Sequence, residues 1–473
     1  MSTEERPSLA CRNAPWSPET TIHYEGSDAF TNATKRWNAY GAPKFCAAVT
    51  PSNEEELANI VKVANAANIP FLATGGRHHY GTTLSKLQSG LAIDLSRLNQ
   101  VKVDSDRSAV TVGGGAKIRD VLGPVTEAGY QIPSGACSGA GFIGSGIGGG
   151  IGYLQGVLGL VVDALVSVNV VTAQGELVQA SENTNEDLFW ALRGAGTNFG
   201  IITSAIYKLS KPVNNGQVFY ADVVHPASMK SEYFKAVESF NDGMSPKLGF
   251  SSALFWDAST QETQILTTFI YAGPEEEARK ELAPFFDLNP VIARLENIQS
   301  DRMPELIIMG ITEASCNTTG GLHSIHPVCV RKLSAETYIS VFDKLDTYYK
   351  TYEDVRASAV ILEAFSNHAV AAVPDDATAY PWRDAKGHFM IQMRWTGLDN
   401  PFAKTANSFA LELRGDIVAT SGYPELSAYV SYAWGDETLK QKFGPHKLSR
   451  LLELKRKWDP DNIFRYCNPL LTE

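Results

Sequence analysis

The period of the apolar positions changes several times along the chain, and each change marks an element. Leu57, Ile60, Val61 and Ala64 share one helical face behind Pro51-Ser-Asn-Glu-Glu-Glu56, where Ser52 reads as the N-cap and Glu55 completes a capping box. That helix ends before Pro70. Short strand signals follow at residues 71–74, 91–94, 101–103 and 109–112, the last running into Gly113-Gly-Gly115. A second helix is expected within residues 117–128, broken or kinked at Gly123-Pro124 because proline lacks the N–H that continues a helix. Residues 166–172 read as a strand, ahead of the acidic-aromatic segment Asp187-Leu-Phe-Trp-Ala-Leu-Arg-Gly194. Beyond Lys211-Pro212 glycine thins out, and strand signals at 218–224, 263–271 and 389–395 mix with amphipathic helices at 229–240 and 335–350. This pattern predicts an α+β protein of two units. The second is an antiparallel sheet with helices on one face, and a helix within 451–464 returns to the first.

Within the first unit lies the least ordinary stretch, Gly135-Ala-Cys-Ser-Gly-Ala-Gly-Phe-Ile-Gly-Ser-Gly-Ile-Gly-Gly-Gly-Ile-Gly152. Fixing glycine costs conformational entropy, so such density belongs where backbone must approach something closely or present bare N–H groups to an anion. A flexible linker would lack Phe142, Ile143, Ile147 and Ile151. A P-loop would end in Gly-Lys-Ser/Thr, and a Rossmann turn would be followed by a strand closed by an acidic residue, so neither fits. The remaining reading is a flavin-binding loop with Cys137 close to the ring.

Composition narrows the partners. The chain has 473 residues, 44% hydrophobic and 20% charged, with a net charge of −11 and no basic cluster. That balance excludes nucleic acid and anionic membrane surfaces and favours a small molecule. The polar start and the lack of a long apolar run give no sign of a signal peptide or membrane span, so a cytoplasmic protein is expected. Six cysteines (11, 46, 137, 316, 329, 467) are too sparse for a disulfide scaffold and show no Cys-x-x-Cys spacing. His323, His326 and Cys329 lack further ligands, and no metal is expected. Asn32-Ala-Thr34 and Asn317-Thr-Thr319 fit the glycosylation pattern, which matters only for an exported chain.

Thr74-Gly-Gly-Arg-His-His-Tyr-Gly81, Gly135-Ala-Cys137, Gly148-Gly-Gly-Ile-Gly152, Leu158-Gly-Leu-Val-Val-Asp163, Val170-Val-Thr-Ala-Gln-Gly175, Asp187–Gly194, Asn198-Phe-Gly200 and Trp458-Asp-Pro-Asp-Asn-Ile-Phe464 occur in this order. Together they resemble the berberine bridge enzyme-like branch of the vanillyl alcohol oxidase (PCMH-type) flavoproteins, in particular fungal FAD-linked oxidoreductases of secondary metabolism. The resemblance implies an FAD-binding domain at 1–212, a substrate domain at 213–420, and a C-terminal segment at 421–473 that returns to the first. It implies FAD held by Gly75, Gly76, Arg77, His78, His79, Gly81, Cys137, Gly141, Gly144, Gly148, Gly149, Gly150, Gly152, Asn198, Gly200, Ile201 and Asn462.

The resemblance also implies covalent flavin, through a histidine and in some members a cysteine as well. Cys137 stands at the cysteine position. The family pattern Gly-Gly-His is interrupted here by Arg77, which favours His78 as the attachment point. His79 and the absence of a histidyl bond remain open, and Arg77 is an alternative clamp for a phosphate. For catalysis the resemblance points to Tyr432, in Ala428-Tyr-Val-Ser-Tyr-Ala433 on what looks like the family's strand, with Glu363 as a second acid. A phenol titrating near 10 needs a neighbour to act as a base at neutral pH. His368, His388 and Trp382 are read as shaping the cavity. Ala140, small and by family position near the flavin's C4a, leaves room for dioxygen. The expected function is an FAD-dependent oxidase that oxidises an alcohol or amine, or closes a ring oxidatively, on a small natural product, with hydride passing to flavin N5 and dioxygen as acceptor. Alternatives are a dehydrogenase, a redox-neutral cyclase with structural FAD, or a binding protein that has lost the chemistry.

Overall fold

The computed structural model describes residues 10–317 and 320–471. Thr318 and Thr319 of the second glycosylation motif lie outside them, as does most of the polar start. The first unit holds two sheets. Ile22–Tyr24, Phe45–Val49, Gly90–Asp94 and Phe71–Thr74 form a four-stranded sheet in that order, with Gly90–Asp94 parallel to both of its neighbours. The helix Glu54–Ala66 is the crossover that parallel strands require, and it buries Leu57, Ile60, Val61 and Ala64 as its apolar spacing dictates. Its cap is Asn53, one residue later than expected: the Asn53 side chain accepts from Glu56 N at 2.8 Å. Ser52 pairs instead with the Glu56 carboxylate.

Val101–Asp104, Ala109–Gly113, Ile201–Lys208, Leu165–Val171 and Leu177–Ser181 form an antiparallel five-stranded sheet. The helix Ile118–Glu127 packs with it and runs through Gly123-Pro124 without the expected break. Pro124 lies on the exposed side, where water can serve the carbonyl that its missing N–H leaves unpaired. The last long helix spans Pro445–Trp458, earlier than expected, because Asp459 ends it. There the fully buried Lys455 ammonium meets the Asp459 carboxylate at 2.6 Å and the carbonyls of Asn198 and Phe464, both at 2.9 Å. Asp459 in turn accepts from the backbone N–H groups of Ile463 and Phe464. Every charge of this buried knot is satisfied, and it ties the C-terminal segment to the first unit.

The second unit is a seven-stranded antiparallel sheet whose strands all come from residues 217–394. Its order is Val291–Gln299, Gln217–Pro226, Glu262–Tyr271, Leu248–Asp257, Ala359–Phe365, Gly387–Arg394, His323–Val330. One face packs on the helices Lys230–Ser239, Ala335–Thr351 and Phe402–Thr420, in a core rich in aromatic side chains. The other face turns toward the first unit. A smaller core joins them, with Tyr153, Leu160 and, from the C-terminal segment, Tyr429 on one side and Tyr220, Phe365 and Tyr380 on the other. Arg383 and Asp163, both buried, bridge the same boundary at 2.8 Å. The fold is a two-domain α+β arrangement in which a half-apolar sheet roofs a glycine-rich loop.

Candidate active site

The loop after Phe71–Thr74 and the glycine run touch directly. A Cβ placed on Gly76 would sit 2.1 Å from Gly141 N, so only glycine allows this approach. Arg77 follows in the left-handed region, with φ of 61°. Its guanidinium is taken up by Asp94 at 2.7 Å and the Asn32 carbonyl at 2.6 Å, which leaves little for the phosphate clamp considered from sequence. The carbonyls of Arg77 and His79 accept from Trp37 N and the Arg36 side chain. Among the described residues the backbone N–H groups of 76–80 meet no acceptor, so they are available to an anion.

His78 and His79 part ways here. His78 Nδ1 lies 3.7 Å from Cys137 Sγ, and its ring also hydrogen-bonds the Cys316 backbone. Burial, then the Lys117 and Arg36 charges, bring His78 down to about 4, so the ring is neutral at physiological pH. His79 folds back against Gly81, its Nε2 buried and unpartnered, and burial takes it down to about 3. Cys137 is not the thiol expected from sequence: it forms a disulfide with Cys316, 179 residues away, on the short helix Ile311–Asn317. No spacing rule signals such a pair. A disulfide persists in oxidising compartments, a bond the cytoplasmic expectation did not include.

The back half of the glycine run is spent differently from its front half. The N–H groups of Gly149, Gly150 and Gly152 are held by the Gly146 carbonyl, the Tyr429 hydroxyl and the Gln155 side chain. Gly148 abuts Ser431, and Gly149 lies against the Tyr380 ring. These glycines let Tyr380 of the second unit and Ser431 of the C-terminal segment approach closely. Gly144 has open space beside it. Gly200 is pressed on Val170, and Ile201 opens the central strand of the five-stranded sheet. Asn198 is fully buried, its amide donating to the Ala195 and Asn468 carbonyls and accepting from Leu470 N. Asn462 donates to the Leu471 carbonyl, while its Oδ1 is buried without a partner.

Opposite the loop, register places polar residues in one row across the sheet. Asp222 faces Thr268, Thr268 faces Ser251, Ser251 faces Glu363, Glu363 faces His388, and His388 faces Cys329. Residues directly opposite one another share a face. Tyr153, from the glycine-rich side, hydrogen-bonds Ser251 on this row. Tyr432 lies on a 3-10 turn, Val430–Tyr432, and not on the expected strand. The turn aims its hydroxyl at Glu363, donating to Oε2 at 2.9 Å. Burial raises Glu363 to about 7 even though the Tyr432 hydrogen bond opposes the shift, and burial with the Glu363 charge holds Tyr432 well above the ordinary phenol range. Tyr80 and Tyr429 complete the setting, the Tyr80 hydroxyl buried and unpartnered.

His388 meets Cys329 at 3.4 Å, Trp382 Nε1 donates to the Ala428 carbonyl, and His368 is exposed. Among the described residues no group of three or more His, Cys, Asp or Glu side chains is placed to hold a metal, and no helix is long and apolar enough to cross a membrane. The residues present suit FAD. The donor-rich loop 76–80, the Gly76–Gly141 approach and the neutral His78 line one side and the Glu363–Tyr432 pair the other, while the buried Asn462 Oδ1 is left without a partner. Arg36, Tyr80, Tyr153, Ser251 and Cys316 were not singled out from sequence; only strand register and the tertiary fold bring them in.

Comparison with known proteins agrees with this arrangement. The FAD binding domain family matches residues 46–181, and the berberine and berberine-like family matches residues 428–469. An FAD-linked oxidoreductase of Neurospora crassa is 43% identical over 457 residues, covering 96% of this chain and 90% of that protein. One of Aspergillus ruber is 43% identical over 461 residues, covering 97% and 92%. Among solved structures, a xylooligosaccharide oxidase from Myceliophthora thermophila in complex with xylobiose superposes with a TM-score of 0.83 at 21% identity, covering 99% of each chain. The glucooligosaccharide oxidase of Acremonium strictum, with its 6-S-cysteinyl, 8α-N1-histidyl FAD, superposes with a TM-score of 0.82 at 22% identity, covering 96% and 98%. Loop, roof and turn thus occur in the order and the fold of known flavoproteins, and the chain belongs to the berberine bridge enzyme-like family of FAD-linked oxidoreductases.

Proposed function

We propose that the protein is an FAD-dependent oxidase that oxidises a hydroxyl-bearing small natural product, with Glu363 as base and Tyr432 as the group that hands it the proton. The observation that carries this reading is the hydrogen bond from half-buried Tyr432 to the buried Glu363 carboxylate, which stands on the polar row facing the glycine-rich loop. Residues 1–212 with 421–473 form the flavin side and 213–420 the substrate side. Bound FAD supplies a hydride acceptor at N5 and delivers the electrons to dioxygen.

The two pKa directions decide the division of labour. A phenol held far above 10 cannot persist as phenolate at neutral pH, whereas a carboxyl near 7 is half ionised there. Tyr432 therefore takes the substrate's hydroxyl proton only as it passes its own to Glu363, and the proton comes to rest on the carboxylate. Ser251 and His388, flanking Glu363 on the row, orient the substrate. The backbone N–H groups of 76–80 hold the FAD phosphates, and unprotonated His78 Nδ1 is the nucleophile for the flavin methyl, as in the histidyl attachment of the glucooligosaccharide oxidase. The small Ala140 side chain leaves dioxygen its approach.

The test is anaerobic mixing of the yellow protein with a panel of hydroxylated aromatic, polyketide-like and oligosaccharide compounds. A substrate should bleach the flavin, and air should restore the colour with one hydrogen peroxide per turnover. A compound consumed without bleaching contradicts the oxidase and favours redox-neutral chemistry.

A further inference from the structure

Cys137 has two partners within reach and one sulfur valence to give. Its Sγ is bonded to Cys316, and it also lies 3.7 Å from the nitrogen of His78 assigned above to flavin attachment. We propose that the Cys137–Cys316 disulfide gates the second flavin bond: while it stands, FAD is held through His78 alone, and its reduction frees Cys137 to bond the flavin ring. This rests on the attachment reading above. It adds a role for Cys316, which lies far from the site in sequence and outside every glycine-rich motif.

Cys316 sits at the end of the helix Ile311–Asn317, and that helix is fastened across the attachment point independently of the disulfide. Ser138, next to Cys137, donates to the Glu313 carboxylate. Arg119 donates to Asn317 Oδ1 at 2.9 Å. Trp37 Nε1 reaches the Ser315 carbonyl at 2.8 Å, and Arg394 reaches the Ser315 hydroxyl at 3.0 Å. Opening the sulfur bond leaves Cys316 docked beside Cys137, so the disulfide can re-form if no flavin claims the thiol. Cys137 is only half-buried, which leaves the bond open to a small thiol reductant.

The electron balance closes with two named reagents. A dithiol reduces the disulfide to two thiols and is itself oxidised to a disulfide. The Cys137 thiolate then forms an S–C bond at the flavin's benzene ring, that carbon loses its proton, and the two electrons pass into the flavin. Dioxygen takes them off as hydrogen peroxide, which restores oxidised flavin. Cys316 ends as a thiol.

Peptide masses of the FAD-loaded protein, denatured in acid with its thiols alkylated and then digested, test this without an activity assay. Protein made in an oxidising compartment should give a disulfide-linked Cys137/Cys316 peptide pair and flavin on the His78 peptide only. After dithiothreitol and then air, the linked pair should be lost, flavin should bridge the His78 and Cys137 peptides, and Cys316 should be alkylated. Cys316→Ser should give the bridged species whatever its redox history. Two results would overturn the proposal: flavin on Cys137 in unreduced wild type, or a reduced Cys137 that only alkylates while His78 carries flavin. Flavin on neither peptide would overturn the attachment reading and this proposal with it.

Discussion

Among the described residues no cation offsets the burial of Glu363, and that fixes both its use and its cost. Base catalysis needs the ionised form, so flavin reduction should rise with pH to a plateau with a midpoint near 7. Glu363→Gln should lower the reduction rate about 10²–10⁴-fold and abolish that midpoint, as read by rapid mixing across pH. Tyr432→Phe should slow reduction but keep it. Folding raises this carboxyl from 4.5, so the native state holds its proton more tightly than the unfolded chain. The group therefore costs nothing below about 4.5, destabilises progressively as pH rises, and costs most above 7, by up to about 3 kcal/mol. Thermal unfolding should show Glu363→Gln more stable than wild type at pH 8 and equal to it near pH 4. Equal stability at both pH values would mean that the carboxyl is solvated.

Among the elements, the Gly76–Gly141 approach and the Lys455–Asp459 knot carry the most weight. Gly76→Ala should force the two flavin loops apart, costing about 1–3 kcal/mol and leaving a protein that purifies without its yellow colour. Lys455→Met strands a buried carboxylate and should cost about 3–5 kcal/mol in denaturant unfolding. The helix face of Leu57, Ile60, Val61 and Ala64 was legible because burial on one side imposes a period. The helix through Pro124 was not, because its tolerance depends on which side of the helix faces water. The turn carrying Tyr432 was also misread: its Tyr- and Val-containing run Ala428-Tyr-Val-Ser-Tyr-Ala433 has strand-like composition, while its geometry is set by docking on Gly148–Gly150.

Across the whole molecule, the signals on the glycine-rich side are local in sequence and those of the roof are not. Glycine density, the paired histidines and the C-terminal Asp-Pro-Asp-Asn motif are local signals. Glu363 and Tyr432 were both named from sequence, yet their hydrogen bond, the polar row and the Cys137–Cys316 bond exist only once residues separated by tens to hundreds of positions are brought together. The central claim is that this assembly holds FAD at His78, facing that roof. The most direct test is to denature the purified yellow protein in acid and ask by peptide mass where the flavin resides. The account predicts flavin that stays with the polypeptide on the peptide containing His78. Flavin released free into solution, or found on the peptide only through His79, would contradict it.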